Sequence, residues 1–324
     1  MPKNGSMKRL PQFLLALSAA TLAVCALAVA QPRSGVRTAK SLAGQSAAAP
    51  DQTPLSDAQI RDLLARVGRN QHHDDEALDT FERLEHVVER EGSPNGPVAS
   101  DKTFRVVPTG SGNLKLLVRE HGQPVTADAY RRQLNDWEHV LEVAVNPNDP
   151  REVSVVAKQQ RKLKDRARLI DAVSAAFVIR WQGRETRDGR VLEKLQFEPN
   201  PNYQPRGNST DWLVHARATV WIDAQTAQIA RVDAYIIRDI SIGAGILGKV
   251  YHGTHFVMDQ APATEDIWEP TNLQYDISGR KFLFSFELHE ATTVGHYRLI
   301  GTPDKALAVV RENLARCCEI PADP

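Results

Sequence analysis

Three glycines and a lysine are the first residues in this chain whose spacing could do chemistry. Gly243, Gly245 and Gly248 read G-x-G-x-x-G, and with Lys249 the same stretch reads G-x-x-x-x-G-K. Either pattern can cradle phosphate, but only in the right setting. A dinucleotide fingerprint needs a strand, the glycine turn and then a helix, because the pyrophosphate sits on the helix N-terminus. Here Gly248 is followed by Lys-Val-Tyr-His-Gly-Thr-His-Phe256, which contains a further glycine and β-branched residues and has no helical period. Asp266 stands near the distance of a ribose-binding acid, but acids are common and this adds little. A P-loop places Ser or Thr after its lysine to hold magnesium, and this chain has Val250. Both phosphate readings fail on their flanks. Glycines within strands mark bends and close backbone approach instead. Gly243, Gly245 and Gly248 then read as bending devices at a sheet rim. Ile246 and Leu247 fall near the loop tip, either tucked over the sheet or exposed as a binding surface.

Other chemistry-bearing groups are weaker. His72-His73-Asp74-Asp75 offers imidazole and carboxylate ligands. Neighbouring residues on a helix or strand point apart, and no further His lies at ligand spacing, so the run reads as a solvated loop. Lys158 to Arg168 is strongly basic and could meet phosphate or anionic lipid. The commoner meaning of such a run is a solvated helix face. Ser, His and Asp all occur without a G-x-S-x-G, H-E-x-x-H or paired-carboxylate signature, so no enzyme, metal or cofactor is expected. Forty basic residues against forty acidic ones give no excess that would favour nucleic acid. Cys317 and Cys318 are adjacent and cannot staple a distant loop. They pair with each other, pair between chains or stay reduced.

The elements that must position these groups begin after a leader. Lys3, Lys8 and Arg9 precede an uncharged apolar run from Leu10 to Ala30 that ends Ala28-Val29-Ala30. Residues 1–30 therefore read as a cleaved secretory signal peptide rather than a membrane anchor. Leu22-Ala23-Val24-Cys25 resembles a lipobox, but Val24 sits where a small residue is wanted, so a lipid anchor on Cys25 is the lesser expectation. The expected location is exported and periplasmic. Residues 31–54 are small, polar and Pro-bounded, as a flexible tether would be. An ordered domain is expected over 55–316, with a tail over 317–324.

Within that domain Ser56 and Gln59 form a capping box, and Ile60, Leu63, Leu64 and Val67 share a helical face that Gly68 is expected to end. Leu78–Glu91 fits a helix or an edge strand. Thr103–Val107 and Leu114–Arg119 form a hairpin around Gly110–Asn113. Two helices occupy about 126–176, separated by Asn146-Pro-Asn-Asp-Pro150. From Phe177 to Leu299 the hydrophobic period becomes alternating. Asp188-Gly189 marks a hairpin, Ala216, Ala218, Val220 and Ile222 share one face, and Ser278-Gly279-Arg280 is expected to turn the chain into a strand over 281–288. On that strand Phe282, Phe284 and Phe286 would face one way. A last helix spans Asp304–Arg316. Tight turns rather than helical crossovers predict an α+β layer structure with an antiparallel meander and helices on one face.

The leader, Phe197-Glu-Pro-Asn-Pro-Asn-Tyr-Gln-Pro205, Val220-Trp-Ile-Asp223, Arg238 to Gly248 and Ser278-Gly-Arg-Lys281 resemble a family of uncharacterised bacterial exported proteins. That family is in turn similar to the outer-membrane lipoprotein-sorting (lipoprotein-carrier) superfamily. The resemblance covers about residues 75–300. It implies a curved antiparallel sheet, an incomplete β-barrel, with helices packed on its concave face around an apolar cavity that in lipoprotein carriers receives acyl chains. It carries no catalytic residues. The expected function is a periplasmic, non-enzymatic binding protein for a lipid, a lipoprotein acyl chain or another apolar ligand, with Ile246, Leu247, Phe282, Phe284 and Phe286 as contacts. The alternatives are that the aromatic row is simply filled core, or that the same fold, with no bound ligand, serves as an envelope scaffold or stress-sensing module with a protein partner.

Overall fold

The computed structural model describes residues 52–316, apart from 111, 147, 206–209 and 244, together with residue 320. The leader, residues 31–51, Cys25, Cys317 and Cys318 lie outside the described residues. Helix α1 spans Asp57–Leu78 and starts at the expected capping box, in which the Ser56 hydroxyl accepts from the Gln59 backbone N–H. It does not stop at Gly68. The helix runs a further ten residues because Val67, Asp74 and Leu78 continue its buried face, so His72-His73-Asp74-Asp75 is helical rather than a loop. The Gln52 side chain bonds the Arg184 backbone at both ends, donating to its carbonyl at 2.8 Å and accepting from its N–H at 3.1 Å.

Strands β1 (Phe81–Arg90), β2 (Val98–Pro108), β3 (Asn113–Glu120) and the short β4 (Gln123–Pro124) lead to helices α2 (Ala127–Ala144) and α3 (Pro150–Ala176). Then come β5 (Phe177–Arg187), β6 (Arg190–Pro199), a 3-10 turn over Asp211–His215, β7 (Ala216–Asp223) and β8 (Ile229–Ile236). The short β9 (Ile240–Ile242) and β10 (Gly248–Val250) precede β11 (His255–Pro262), β12 (Trp268–Lys281), β13 (Phe284–Leu299) and helix α4 (Pro303–Ala315). The thirteen strands among the described residues form one sheet in the order 4-3-2-1-13-12-11-8-7-6-5, with β10 against the far end of β12 and β9 against β10. Every pairing is antiparallel. The order runs from β4 to β5 without closing, so this is an open α+β sheet and not a complete barrel. Register shifts at Glu82/Leu84, Trp181/Gly183, Trp221/Ile222 and Asp259/Gln260 bend it, as bulges do.

Two local expectations change. β1 is no edge strand; it lies within the path, between β13 and β2. Ser278-Gly279-Arg280 is not a turn either. It continues β12, pairing with β13 on one side and with β10 on the other, and the chain reverses at Phe282-Leu283. Gly279 is needed for closeness rather than for turning. A Cβ there would lie 2.5 Å from the Lys249 carbonyl and 2.9 Å from the Phe286 ring.

The helices cover one face in two halves. Leu63, Val67, Leu169 and Ala176 of α1 and α3 pack on Ala216, Ala218, Val220, Ile222, Val232, Ala234 and Met258. Tyr130, Leu134 and Leu141 of α2 and Leu307 and Val310 of α4 pack on Leu114, Leu116 and Val118. Tyr130 is fully buried, and its hydroxyl accepts from Arg105 Nη1 at 2.9 Å. The opposite face carries ion pairs such as Arg231–Asp259 at 2.7 Å and His255–Asp233 at 2.9 Å.

Two glycine substitutions should act in opposite directions. A Cβ on Gly68 meets nothing within 4 Å, so Gly68→Ala should stabilise the protein by about 1 kcal/mol, the helix-interior penalty of glycine. Gly279→Ala forces β10 and Phe286 away and should cost about 1–3 kcal/mol. Urea unfolding midpoints check both.

Candidate functional site

Along α1 the residues Ile60, Leu64, Gly68, Gln71 and Asp75 recur at four- and three-residue spacing, which places them on one helical face. Between that face, the C-terminal part of α3 and the strands lies a half-open cavity of about 1060 Å³. Its walls are mostly apolar: Val173 of α3, Phe177, Phe197, Val220, Ile222, Ile229 and Met258 complete them. The volume is at the upper end of the range for small-molecule pockets, ~300–1,000 Å³. Val220 and Ile222 reach it because alternate residues of β7 point to the helix side.

One end of the cavity is acidic. Asp74 and Asp75 come from the C-terminal half of α1, and Glu269 and Gln260 from the paired ends of β12 and β11. Asp74 is 4% exposed and Glu269 only 2%. The Trp268 backbone N–H donates to Asp74 Oδ1 at 3.4 Å, which ties the end of α1 to the start of β12. Asp75 pairs with Arg166 of α3 at 2.9 Å. The Oε1 atoms of Glu269 and Gln260 are buried without a hydrogen-bond partner among the described residues. Burial pushes the Glu269 carboxyl up to about 9, with the Arg83 charge working against it. Burial likewise pushes Asp74 up to about 7, against the Trp268 N–H. Asp75 goes up to about 6, again by burial, with Arg166 opposing.

The residues singled out from sequence lie elsewhere. Gly243 and Gly245 adopt positive φ of 59° and 83°, so the run does bend the chain, as a loop between β9 and β10. Ile246, Leu247, Phe282 and Phe284 meet at one tip, joined by a Phe282 N–H bond to the Leu247 carbonyl at 3.2 Å. Arg280 secures the loop with a bond to the Gly245 carbonyl at 3.1 Å. Ile246 is 74% exposed and Phe284 78%. Phe282 leaves the expected aromatic row because it occupies the turn, with a positive φ of 52°. Phe286 lies half-buried over Gly279. None of these five residues lines the cavity. Glu269 and Lys281 are twelve positions apart on β12, about 40 Å of strand at ~3.3 Å per residue. Lys249 pairs with Asp239 at 2.7 Å.

Histidines 72 and 73 diverge, as adjacent residues must. His72 Nε2 meets Asp171 at 3.0 Å, and His73 points to solvent. Among the described residues no group of three or more His, Cys, Asp or Glu could hold a metal ion. The basic run of α3 is mostly exposed; Arg166 is the buried exception. Sequence reasoning passed over Glu269. Its one signal is an acid set between Trp268 and Pro270 in a strand that is otherwise buried at that end.

The raised carboxyls fix a pH dependence. Each binds a proton in the folded chain that it has lost in the unfolded chain, so each contribution is present below about pH 4 and is lost as pH rises through about 6, 7 and 9. The unfolding free energy should therefore fall between pH 5 and pH 9. Glu269→Gln should remove the upper part of that slope and exceed the parent's stability at pH 8. Denaturant titrations across this range check it; an unchanged slope would contradict it.

No family model matches the chain, and no curated relative matches it by sequence. Solved structures do. A LolA superfamily protein from Nitrosomonas europaea is 10% identical with a TM-score of 0.31, covering 76% of this chain and 96% of its own. A DUF1329 family protein from Desulfovibrio piger is 11% identical with a TM-score of 0.29, covering 74% and 92%. An outer membrane lipoprotein-sorting protein domain from Vibrio parahaemolyticus is 6% identical with a TM-score of 0.30, covering 75% and 97%. Likenesses at this level assign no residue a role. The chain is similar to LolA superfamily, DUF1329 and lipoprotein-sorting structures.

Proposed function

We propose that this protein is a non-enzymatic binding protein of the cell envelope that holds a lipid, a lipoprotein acyl chain or another apolar ligand between α1, α3 and the sheet. The observation that carries this reading is the half-open cavity itself, with apolar walls from β5, β6, β7, β8 and β11 and from α1 and α3. Such walls supply affinity without directional chemistry, about 0.8 kcal/mol for each methylene taken out of water. The leader-like residues 1–30 support export and a periplasmic location. Among the described residues no helix is long and apolar enough to cross a membrane.

The tip supports a second role alongside the first. Exposed Ile246, Leu247, Phe282, Leu283 and Phe284 form an apolar patch far from the cavity, and we assign it to contact with an envelope partner rather than to the cavity's ligand. Cross-linking in intact envelopes tests this role. The parent should capture a discrete partner that Phe284→Ser fails to capture, and equal capture by both would sink it.

Binding of a fluorescent acyl probe tests the cavity. Affinity should fall about fourfold for each methylene removed from the probe, the fold-change equivalent to ~0.8 kcal/mol. Gly68→Phe, which projects a ring from the cavity face of α1, should weaken binding at least about tenfold while leaving the circular dichroism unchanged. Phe284→Ser should bind like the parent. The reverse pattern would move the ligand to the tip and refute the cavity reading.

A further inference from the structure

The acidic end of the cavity is poorly explained by folding alone. Helix C-termini carry the negative end of the macrodipole and favour cations, yet α1 has no basic residue in its last turn and places Asp74 and Asp75 just before it. A buried carboxyl without a partner is costly, yet Glu269 is 2% exposed, faces the cavity and leaves Oε1 without a hydrogen bond. The two features come from different elements, a helix and a strand, and converge on one wall.

The cations that act on the acidic wall, Arg166 and Arg83, each have a carboxylate partner of their own, and Arg61 and Arg69 of α1 and Arg180 of β5 line the cavity as well. Arg166 of α3 bonds Asp75 at 2.9 Å and stands 3.9 Å from Asp79. Arg83 of β1 is held by Glu85 at 2.9 Å, and Glu85 also receives Lys115 of β3. On β13 the Tyr297 hydroxyl donates to the Pro270 carbonyl at 2.6 Å. His73 Nδ1 stands 3.9 Å from Asp74 on the solvent side. Glu269 has no ion pair among the described residues; Arg83, whose Nη1 is itself buried without a hydrogen-bond partner among them, acts on it through its charge.

We infer that the cavity is built for an amphiphile with an amine head group, whose ammonium seats between Glu269 and Asp74 while its apolar part lies along Ile60, Leu64, Val220 and Ile222. The assignment rests on the reading that the cavity holds an apolar ligand. An anionic head would meet Asp75 and, once ionised, Asp74 as like charges, which is unfavourable in a low-dielectric site. An ammonium supplies a charged hydrogen-bond donor to Glu269 Oε1, which has none among the described residues. Glu269 is held protonated by burial near neutral pH. Entry of an ammonium favours its ionised form, so the Glu269 proton leaves to solvent and the ammonium keeps its own. Binding is then linked to release of about one proton. It should strengthen as pH rises from 6 toward 9, while the amine, with an unperturbed value near ~10.4, remains charged.

Three alkyl probes of one chain length test this: dodecylamine, dodecanol and dodecanoate, each added below its micelle threshold to the purified protein at neutral pH. The amine should bind at least about tenfold tighter than either of the others. Calorimetry in two buffers of different ionisation enthalpy should report release of about one proton with the amine and none with the alcohol. Glu269→Gln should keep alcohol binding and lose both the amine preference and the proton release. Asp74→Asn serves the same purpose if that variant is unstable. Equal binding by all three probes, tighter binding of dodecanoate, or an undiminished amine preference in Glu269→Gln would overturn the head-group assignment alone. No binding by any probe would overturn the cavity reading and this inference with it.

Discussion

Ala216, Ala218, Val220 and Ile222 on β7, and Val232, Ala234 and Ile236 on β8, are all buried on the same side of the sheet. An open sheet of this width cannot hide such a face by closing on itself, so helices must hide it. The chain meets the requirement by its connections. After β4, at one edge, α2 and α3 carry it across the face to β5 at the other edge. α1 and α4, from the two ends of the domain, cover what remains. The cover is complete under α2 and α4, where Tyr130, Leu134 and Leu141 are fully buried. Under α1 it is not, and the cavity is the part of the apolar face that the helices leave unfilled.

Other departures from ordinary stability cluster at the two ends of β12. At Glu269 a buried carboxyl leaves Oε1 without a hydrogen-bond partner among the described residues. At Phe282 an aromatic residue takes a positive φ of 52°, a strain on the order of 1–3 kcal/mol for a side-chain-bearing residue, in a turn position that favours glycine. Gly279, which would turn the chain more cheaply, is instead confined between Lys249 and Phe286. Costs of this kind persist where the surrounding structure holds them in place, and they concentrate at working surfaces. β12 thus links a cavity with an acidic wall at one end to an exposed apolar tip at the other.

Much of the layout was legible because it obeys local periodicity. The alternation of β7, the Asp188-Gly189 turn with both residues at positive φ, and the Ser56–Gln59 box follow from spacing and turn chemistry alone. What stayed hidden depends on contacts between distant segments. Gly68 looked like a helix stop because glycine usually is one, but Val67, Asp74 and Leu78 bury enough surface to carry the helix through it. Phe282, Phe284 and Phe286 looked like one row because the turn was placed at Gly279, and only the third strand, β10, shows why that glycine must stay in the ladder. Ile246 and Leu247 did fall at a bent rim, yet the cavity formed at the other end of β12. Nothing in a single strand's pattern says that Glu269 will face α1.

The most direct test is photolabelling of the full chain with an acyl probe that carries a diazirine near the end of its tail, followed by peptide mapping. The account places the label on α1 between Ile60 and Leu78 and on the facing strand residues Val220, Ile222 and Met258. Label confined to residues 243–248 and 282–286 would contradict it and return the site to the tip.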